Sequence, residues 1–225
     1  MKERSRAHPV ASIAVALVLS YAWPPASIAG TSKDEDLDIV GISAVCGARS
    51  SGFGPPLDYR TAEFIGSTTD AQHTEIALEE LRKPSPDGSV VLHNLNWALA
   101  RSPNHYVALG GIVDWERSKR PMAGYPSTKC YLFWARQFVP DDLNTWLITG
   151  NYYYKKNDFR RARAWYQDAL TKQPDSAEAH YALGLVLFEE GDFDDAMNHA
   201  RQAYALGYPL PGLRRKLERV GQWDD

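Results

Sequence analysis

Residues 143–176 read LNTWLITGNYYYKKNDFRRARAWYQDALTKQPDS, and residues 177–210 read AEAHYALGLVLFEEGDFDDAMNHARQAYALGYPL. Laid over one another at a shift of 34 without a gap, they share Gly150/Gly184, Asp158/Asp192, Phe159/Phe193, Ala162/Ala196 and Ala169/Ala203. Five identities are few, but they are not scattered, and a fixed period of this length marks a stacked repeat. Trp146, Gly150 and Tyr153 are spaced four and three apart, on one face of a helix, and Ala162, Tyr166 and Ala169 repeat that spacing on the next. The pattern predicts that Gly150 faces Ala162, letting two helices approach closely with rings filling the gaps beside them. Asn157-Asp158 and Gly191-Asp192 supply the turns. Pro174 stops the second helix, and Asp175-Ser176-Ala177-Glu178 reads as a capping box for the third. Each helical pair carries an apolar face that it cannot bury alone, so stacking is required.

On these residues the segment resembles the tetratricopeptide repeat (TPR) family, whose pattern runs W-x2-L-G-x2-Y, then A-x3-F and a closing P. The first copy supplies Trp146, Gly150, Tyr153, Ala162, Tyr166, Ala169 and Pro174; the second supplies Leu183, Gly184, Leu187, Gly191, Ala196, Ala200 and Ala203. Thr149, His180 and Tyr208 depart from the pattern, standing where it has Leu, Trp and Pro. The resemblance implies an all-α fold of helix-turn-helix repeats stacked as a short right-handed superhelix. An irregular N-terminal segment and a C-terminal capping helix flank it.

Two repeats rarely suffice for a stable array, and the preceding chain contributes in degenerate form. Ala135 with Pro140, and Ala98 with Pro103, keep the spacing of Ala169 with Pro174. We read 89–101 as a helix and 104–139 as a helical pair stretched by an insertion from Ser118 to Thr128. Asp70 to Leu81 reads as a short acidic amphipathic helix. After the last copy, Gly207 to Gly212 is a turn, and Leu213, Leu217 and Val220 form the apolar side of a basic end helix. The expected organisation is a signal peptide over 1–29, an irregular segment with one short helix over 30–88, and degenerate TPR-like helices over 89–142. Two TPR repeats over 143–210 and a capping helix with its tail over 211–225 complete it. The chain also resembles, more loosely, small exported bacterial TPR proteins with a Cys-Gly…Asp-Tyr-Arg start, here Cys46-Gly47 and Asp58-Tyr59-Arg60. Their Ala-Leu-Gly-Tyr-Pro-Leu-Pro-Gly-Leu-Arg end is here Ala205 to Arg214. That likeness brings no biochemical activity with it.

The full chain has 225 residues, a net charge of −3, and 7 Trp, 12 Tyr and 7 Phe, which is enough apolar content for a core and leaves no cationic footprint for nucleic acid. Lys2, Arg4 and Arg6 precede a mostly apolar run from Val10 to Ala22; Pro24-Pro25 break it, and Ser27 and Ala29 suit a cleavage site before Gly30. This reads as a secretory signal. Its 13-residue run is shorter than the roughly 20 residues of a membrane span, although an uncleaved anchor is the rival reading. The expected product is a periplasmic or secreted chain of 196 residues with 22 basic and 27 acidic side chains and no stable membrane anchor. In an oxidising compartment Cys46 and Cys130 read as one disulfide; two free thiols fit only a cytosolic protein.

No catalytic grouping emerges. His73, His93, His105, His180 and His199 include no His-Glu-x-x-His pair and no Cys/His cluster. His93 and His105 fall on neighbouring helices, so a shared metal is the sharp reading and two packed or solvated histidines the bland one. His180 stands where the repeat has a Trp and reads as a packed histidine. The carboxylate pairs Glu79-Glu80, Asp141-Asp142, Glu189-Glu190 and Asp194-Asp195 lie at helix ends or solvated faces. The chain is therefore expected to be no enzyme and to need no cofactor.

What the TPR resemblance implies instead is a concave groove lined by the first helix of each repeat. Carried onto this sequence, its lining is Asn144, Leu147, Asn151, Tyr154 and Lys155 in the first copy and Glu178, Tyr181, Leu185, Phe188 and Glu189 in the second. Leu147 and Leu185 depart from the variant that clamps a terminal carboxylate, whereas Asn151 fits it. Tyr154, Tyr181 and Phe188 offer apolar anchors; the bland alternative is that these rings pack against the rest of the array. The expected function is a non-enzymatic scaffold or adaptor of the bacterial cell envelope holding a segment of a partner protein. The alternative is a glycan-binding accessory protein, which requires at least two coplanar exposed rings in one groove.

Overall fold

In the computed structural model, the structure describes residues 42, 46, 47, 49, 55–61, 68–118, 120, 122 and 124–223. The export-signal reading over 1–29 lies outside the described residues. Nine helices are described: α1 (Thr68–Leu81), α2 (Gly88–Arg101), α3 (Tyr106–Arg117), α4 (Thr128–Phe138), α5 (Leu143–Lys155), α6 (Phe159–Lys172), α7 (Ala177–Glu190), α8 (Phe193–Ala205) and α9 (Gly212–Arg219). Among the described residues there is no strand, and no helix is long and apolar enough to cross a membrane.

Side chains placed one residue before a helix decide where it starts. Asp87, Ser127, Asp142, Asp158 and Ser176 each accept a hydrogen bond from a backbone N–H in the first turn that follows. The start of α7 differs from the capping box read in the sequence. Ser176 is the cap, accepting from the Ala179 N–H at 3.2 Å, so Glu178 falls in the first turn as a charge favoured by the helix dipole. At the opposite ends the 34-residue period is geometric. Asn157 and Gly191 both adopt left-handed backbone, with φ of 60° and 84°. The following N–H reaches back to the same carbonyl in each copy: Asp158 to Tyr153 at 3.0 Å, and Asp192 to Leu187 at 2.9 Å.

Packing follows nearest neighbours along the chain, as a stacked array requires. The tight pairs are α1/α2, α5/α6 and α7/α8, with α3/α4 looser across the connection 118–127. The odd-numbered helices α1, α3, α5, α7 and α9 touch in succession and form one layer. Helix α1, which the sequence places in an irregular segment, thus pairs fully with α2. In the repeat half each even helix buries a spine of small residues: Ala162 and Ala169 on α6, and Ala196, Ala200 and Ala203 on α8, all 0% exposed. The ring expected beside Gly150 lies directly on it. A Cβ at Gly150 would stand 2.4 Å from Tyr166 Cε1, so the close approach is made by the Tyr166 ring and not by Ala162. In the second copy the space over Gly184 is filled by Leu213 of α9 and the Ala196 carbonyl.

The disulfide joins Cys46 to Cys130 at the start of α4, across 84 residues of sequence. Around it, described residues that precede α1 attach to the helices. Trp134 Nε1 donates to the Gly47 carbonyl at 3.1 Å, and the Arg49 guanidinium lies over the rings of Tyr131 and Trp134 at 5.3 and 4.9 Å. Farther on, Leu57 N–H bonds the Arg101 carbonyl at 2.8 Å, and Tyr59 packs against His105 and Tyr106. Fully buried Asn104 ties this segment to the repeats: its amide donates to Asp58 Oδ1 at 2.8 Å and to Asp142 Oδ2 at 3.1 Å, and Asp142 caps α5. Cys46-Gly47 and Asp58-Tyr59-Arg60 are therefore two anchoring points on the helices, together called the strap.

Candidate functional site

The ten residues expected to line a groove lie on α5 and α7, and they have unequal surroundings. Leu147 is buried at 3% exposure and belongs to the core. Asn151 accepts the Tyr166 hydroxyl at 2.8 Å and so fixes the ring that covers Gly150. Asn144 lies in the first turn of α5, its N–H bonded to the Asp142 cap. Tyr181 is covered: its ring stacks on Tyr208 at 4.1 Å, and its hydroxyl fills the space that a Cβ at Gly212 would need. Gly212 is thus the residue that lets the chain turn back over Tyr181. Glu178, at the start of α7, remains exposed.

The remaining residues form a row across the C-terminal turns of the odd helices. Lys155 Nζ pairs with Asp114 Oδ1 of α3 at 2.5 Å. Beside it, Lys156 pairs with Glu116 at 2.5 Å. The Tyr154 hydroxyl donates to Glu189 Oε1 at 3.3 Å, and the same oxygen receives Lys216 Nζ of α9 at 2.5 Å. Lys216 also lies over the Phe188 ring at 5.1 Å. Burial pushes the Tyr154 hydroxyl up to about 12, and the neighbouring Glu189 acts in the same direction, so it stays a neutral donor at any ordinary pH. Between these polar rungs, Tyr154, Leu185 and Phe188 remain half-exposed. Single exposed pairs of this kind contribute little, roughly 0–1 kcal/mol each, but together they set the lateral register of α3, α5, α7 and α9.

Four of these participants, Asp114, Glu116, Lys156 and Lys216, are not among the residues that the sequence singles out. A signal for Lys216 exists. Extending the 34-residue shift past 210 lays Leu217 over Leu183 and Val220 over Val186, which makes α9 the first helix of an unfinished third copy. Asp114 has no such signal, because the spacing between α3 and α5 is not 34 residues.

The histidines resolve into separate structural roles. His105 is buried at the start of α3, with Nε2 3.2 Å from the Thr74 hydroxyl, whereas His93 is exposed, so the two share no site. His180 is buried as expected. Its Nε2 lies 2.8 Å from the Pro174 carbonyl and its Nδ1 lies 2.8 Å from His199 Nδ1. A carbonyl only accepts, so His180 carries its proton on Nε2, and His199 must donate from Nδ1. Among the described residues, no group of three or more His, Cys, Asp or Glu side chains is arranged to hold a metal ion.

A layer of first helices braced by polar rungs, backed in the repeat half by α6 and α8 with their alanine spines, defines a helical-repeat protein. The model of the tetratricopeptide repeat family matches residues 149–208, and this segment belongs to that family. TPR repeats form protein-interaction scaffolds and are characteristically non-catalytic. No curated protein matches the chain.

Proposed function

We propose that this chain is an exported, non-enzymatic TPR scaffold of the bacterial cell envelope that holds a segment of a partner protein against α5 and α7. The observation that carries the reading is the Tyr154–Glu189–Lys216 contact, which sets three first-layer helices side by side and leaves Tyr154, Leu185 and Phe188 half-exposed along the seam. Leu185 and Phe188 are three residues apart, so they present one apolar edge to an incoming segment. Asn144, Asn151, Lys155 and Glu178 flank that edge, while Leu147 and Tyr181 support it from below. A disulfide across 84 residues is compatible with an oxidising compartment and supports export. The glycan-binding alternative needs open coplanar rings. Here Tyr154 contacts Phe159, Phe188 contacts Phe193 and Tyr181 stacks on Tyr208, so no observation favours it.

The test is a photo-crosslinking residue placed at Leu185 in intact cells, with the same residue at exposed Gln167 of α6 as the control. A discrete adduct at position 185, lost in Y154A/F188A and absent at 167, is the expected result. Equal adducts at both positions, or none at 185, would overturn the reading.

A further inference from the structure

The 34-residue shift carries a pair of rings along with the turns. It lays His180 over Trp146 and His199 over Trp165. In the first copy, Trp146 of α5 and Trp165 of α6 meet edge to face with ring centroids 5.3 Å apart. In the second, His180 of α7 and His199 of α8 meet at 5.1 Å with their planes tilted by 31°. The contact between the two helices of a repeat is kept, while both indoles are exchanged for imidazoles. Packing alone does not call for that exchange. An imidazole covers less apolar surface than an indole, and it brings a lone pair that needs a partner.

The rings meet through ligating atoms, with His180 Nδ1 and His199 Nδ1 2.8 Å apart. The Pro174 carbonyl, 2.8 Å from Nε2, keeps the His180 proton there and leaves its Nδ1 lone pair directed at His199. A carbonyl bound to the remote ring N–H is the usual outer support of a metal-ligating histidine. His180 is buried and held, whereas His199 is half-buried and within reach of solvent. Metal–imidazole bonds of about 2.0–2.1 Å set neighbouring ligands of a square plane about 2.8–2.9 Å apart, and those of a tetrahedron about 3.3–3.4 Å apart. The observed separation is that of the square plane. Charge is mixed: Asp195, one turn before His199 on α8, favours a cation there, while Arg163 of α6 opposes it and is itself bonded to Glu190 at 3.1 Å.

We propose that His180 Nδ1 and His199 Nδ1 together bind a divalent ion of tetragonal preference, copper(II), with water in its remaining positions. Binding changes one tautomer: the His199 proton leaves Nδ1 and Nε2 takes one from solvent, so both imidazoles stay neutral and both Nδ1 lone pairs serve the ion. His180 is fixed by Pro174, so the ring that pivots to bring the lone pairs together is His199. Two protein ligands completed by water make an exchangeable site and not a closed structural one.

The experiment is titration of the purified full chain, carrying no histidine tag, with copper(II) chloride at neutral pH. Visible absorption, electron paramagnetic resonance and the thermal melt are followed together. One equivalent is expected to bind, with the spectrum of tetragonal copper on two imidazole nitrogens and a Tm raised by several degrees. H199Q should weaken binding at least tenfold and abolish the rise in Tm. So should H180W/H199W, which gives the second copy the ring pair of the first and keeps the helices packed. H93Q, at an exposed histidine, should leave both readouts unchanged, and zinc(II) should bind at least tenfold more weakly than copper(II). No saturable binding at submillimolar copper, or undiminished affinity in folded H199Q or H180W/H199W, would overturn the proposal. So would an equal loss in H93Q, or zinc bound as tightly as copper.

Discussion

In the repeat half, space left by a glycine is taken by a side chain from a later helix: Tyr166 of α6 over Gly150 and Leu213 of α9 over Gly184. In α1–α4, cohesion comes from a strap that belongs to no helix pair: the Cys46–Cys130 bond, Trp134 to the Gly47 carbonyl, and the Asp58–Asn104–Asp142 chain of hydrogen bonds. The first arrangement is shorter in range, since its partners lie one helix apart at Gly150 and two helices apart at Gly184. The second is long-range, joining residues 38 to 87 positions apart by disulfide, hydrogen bond and cation–π contact. The difference teaches that a repeat array can tolerate a loosened unit, here α3/α4, if a covalent and polar brace replaces the missing periodic packing.

Breaking the brace should have the largest effect. C46S/C130S is expected to cost about 2–4 kcal/mol, close to the loop-closure ceiling of roughly 4–5 kcal/mol for a loop of this length. The loss should be confined first to α1–α4. Limited proteolysis checks it: early cleavage within 68–118 with 143–219 protected supports the division, and simultaneous cleavage of both halves contradicts it.

Gly150→Ala comes next. It sets a methyl carbon 2.4 Å from the Tyr166 ring, which is 1% exposed and tethered to Asn151. The overpacking penalty of about 1–3 kcal/mol outweighs the roughly 1 kcal/mol of helix propensity gained, and Tm should fall by several degrees. Gly184→Ala should lose less, because the nearest obstacle is Leu213 Cδ2, the end of a flexible side chain. A melt in which Gly184→Ala is the more damaging of the two would contradict this account.

The smallest effects separate the halves by pH. Burial lowers His199 below its ordinary 6.5, with His180 adding to that and Asp195 opposing it. The folded state therefore disfavours this proton, and stability present above pH 6.5 is lost as the pH falls below it. The proton that His199 takes up is accommodated at Nε2 while Nδ1 still donates to His180. In the strap, the hydrogen bond from Arg60, with further help from Asn104, holds the Asp58 carboxyl at about 2. Its contribution is complete above the ordinary value of 3.8 and is lost as the pH falls from there toward 2. Urea midpoints measured from pH 8 to 2 should show a first step absent in H199Q and a second absent in D58N. Wild-type behaviour of both variants would remove the basis for either assignment.

Residues whose meaning is local were legible in advance. The turns at Asn157 and Gly191, the stop at Pro174, the helix registers and the buried His180 all follow from interactions within a few positions. The pairing of Cys46 with Cys130 is legible from there being two cysteines, once export is expected from residues 1–29. The site was less so. Tyr154, Leu185 and Phe188 were identified together with Tyr181, but nothing near Tyr181 signals that Tyr208 and Gly212 fold back to cover it. Asp114 and Lys216 were missed because their partners, Lys155 and Glu189, lie 41 and 27 residues away.

The sequence by itself determined the period, the helices and the all-α repeat class, because the 3.6-residue helical spacing and the 34-residue repeat are written directly in residue order. Tertiary structure alone decided which first-layer residues are rungs, which are core and which stay open, and that His180 and His199 meet nitrogen to nitrogen between α7 and α8. Exposure on a stacked helix is set by its neighbours in the array, and those neighbours stand one or more helices away in the chain.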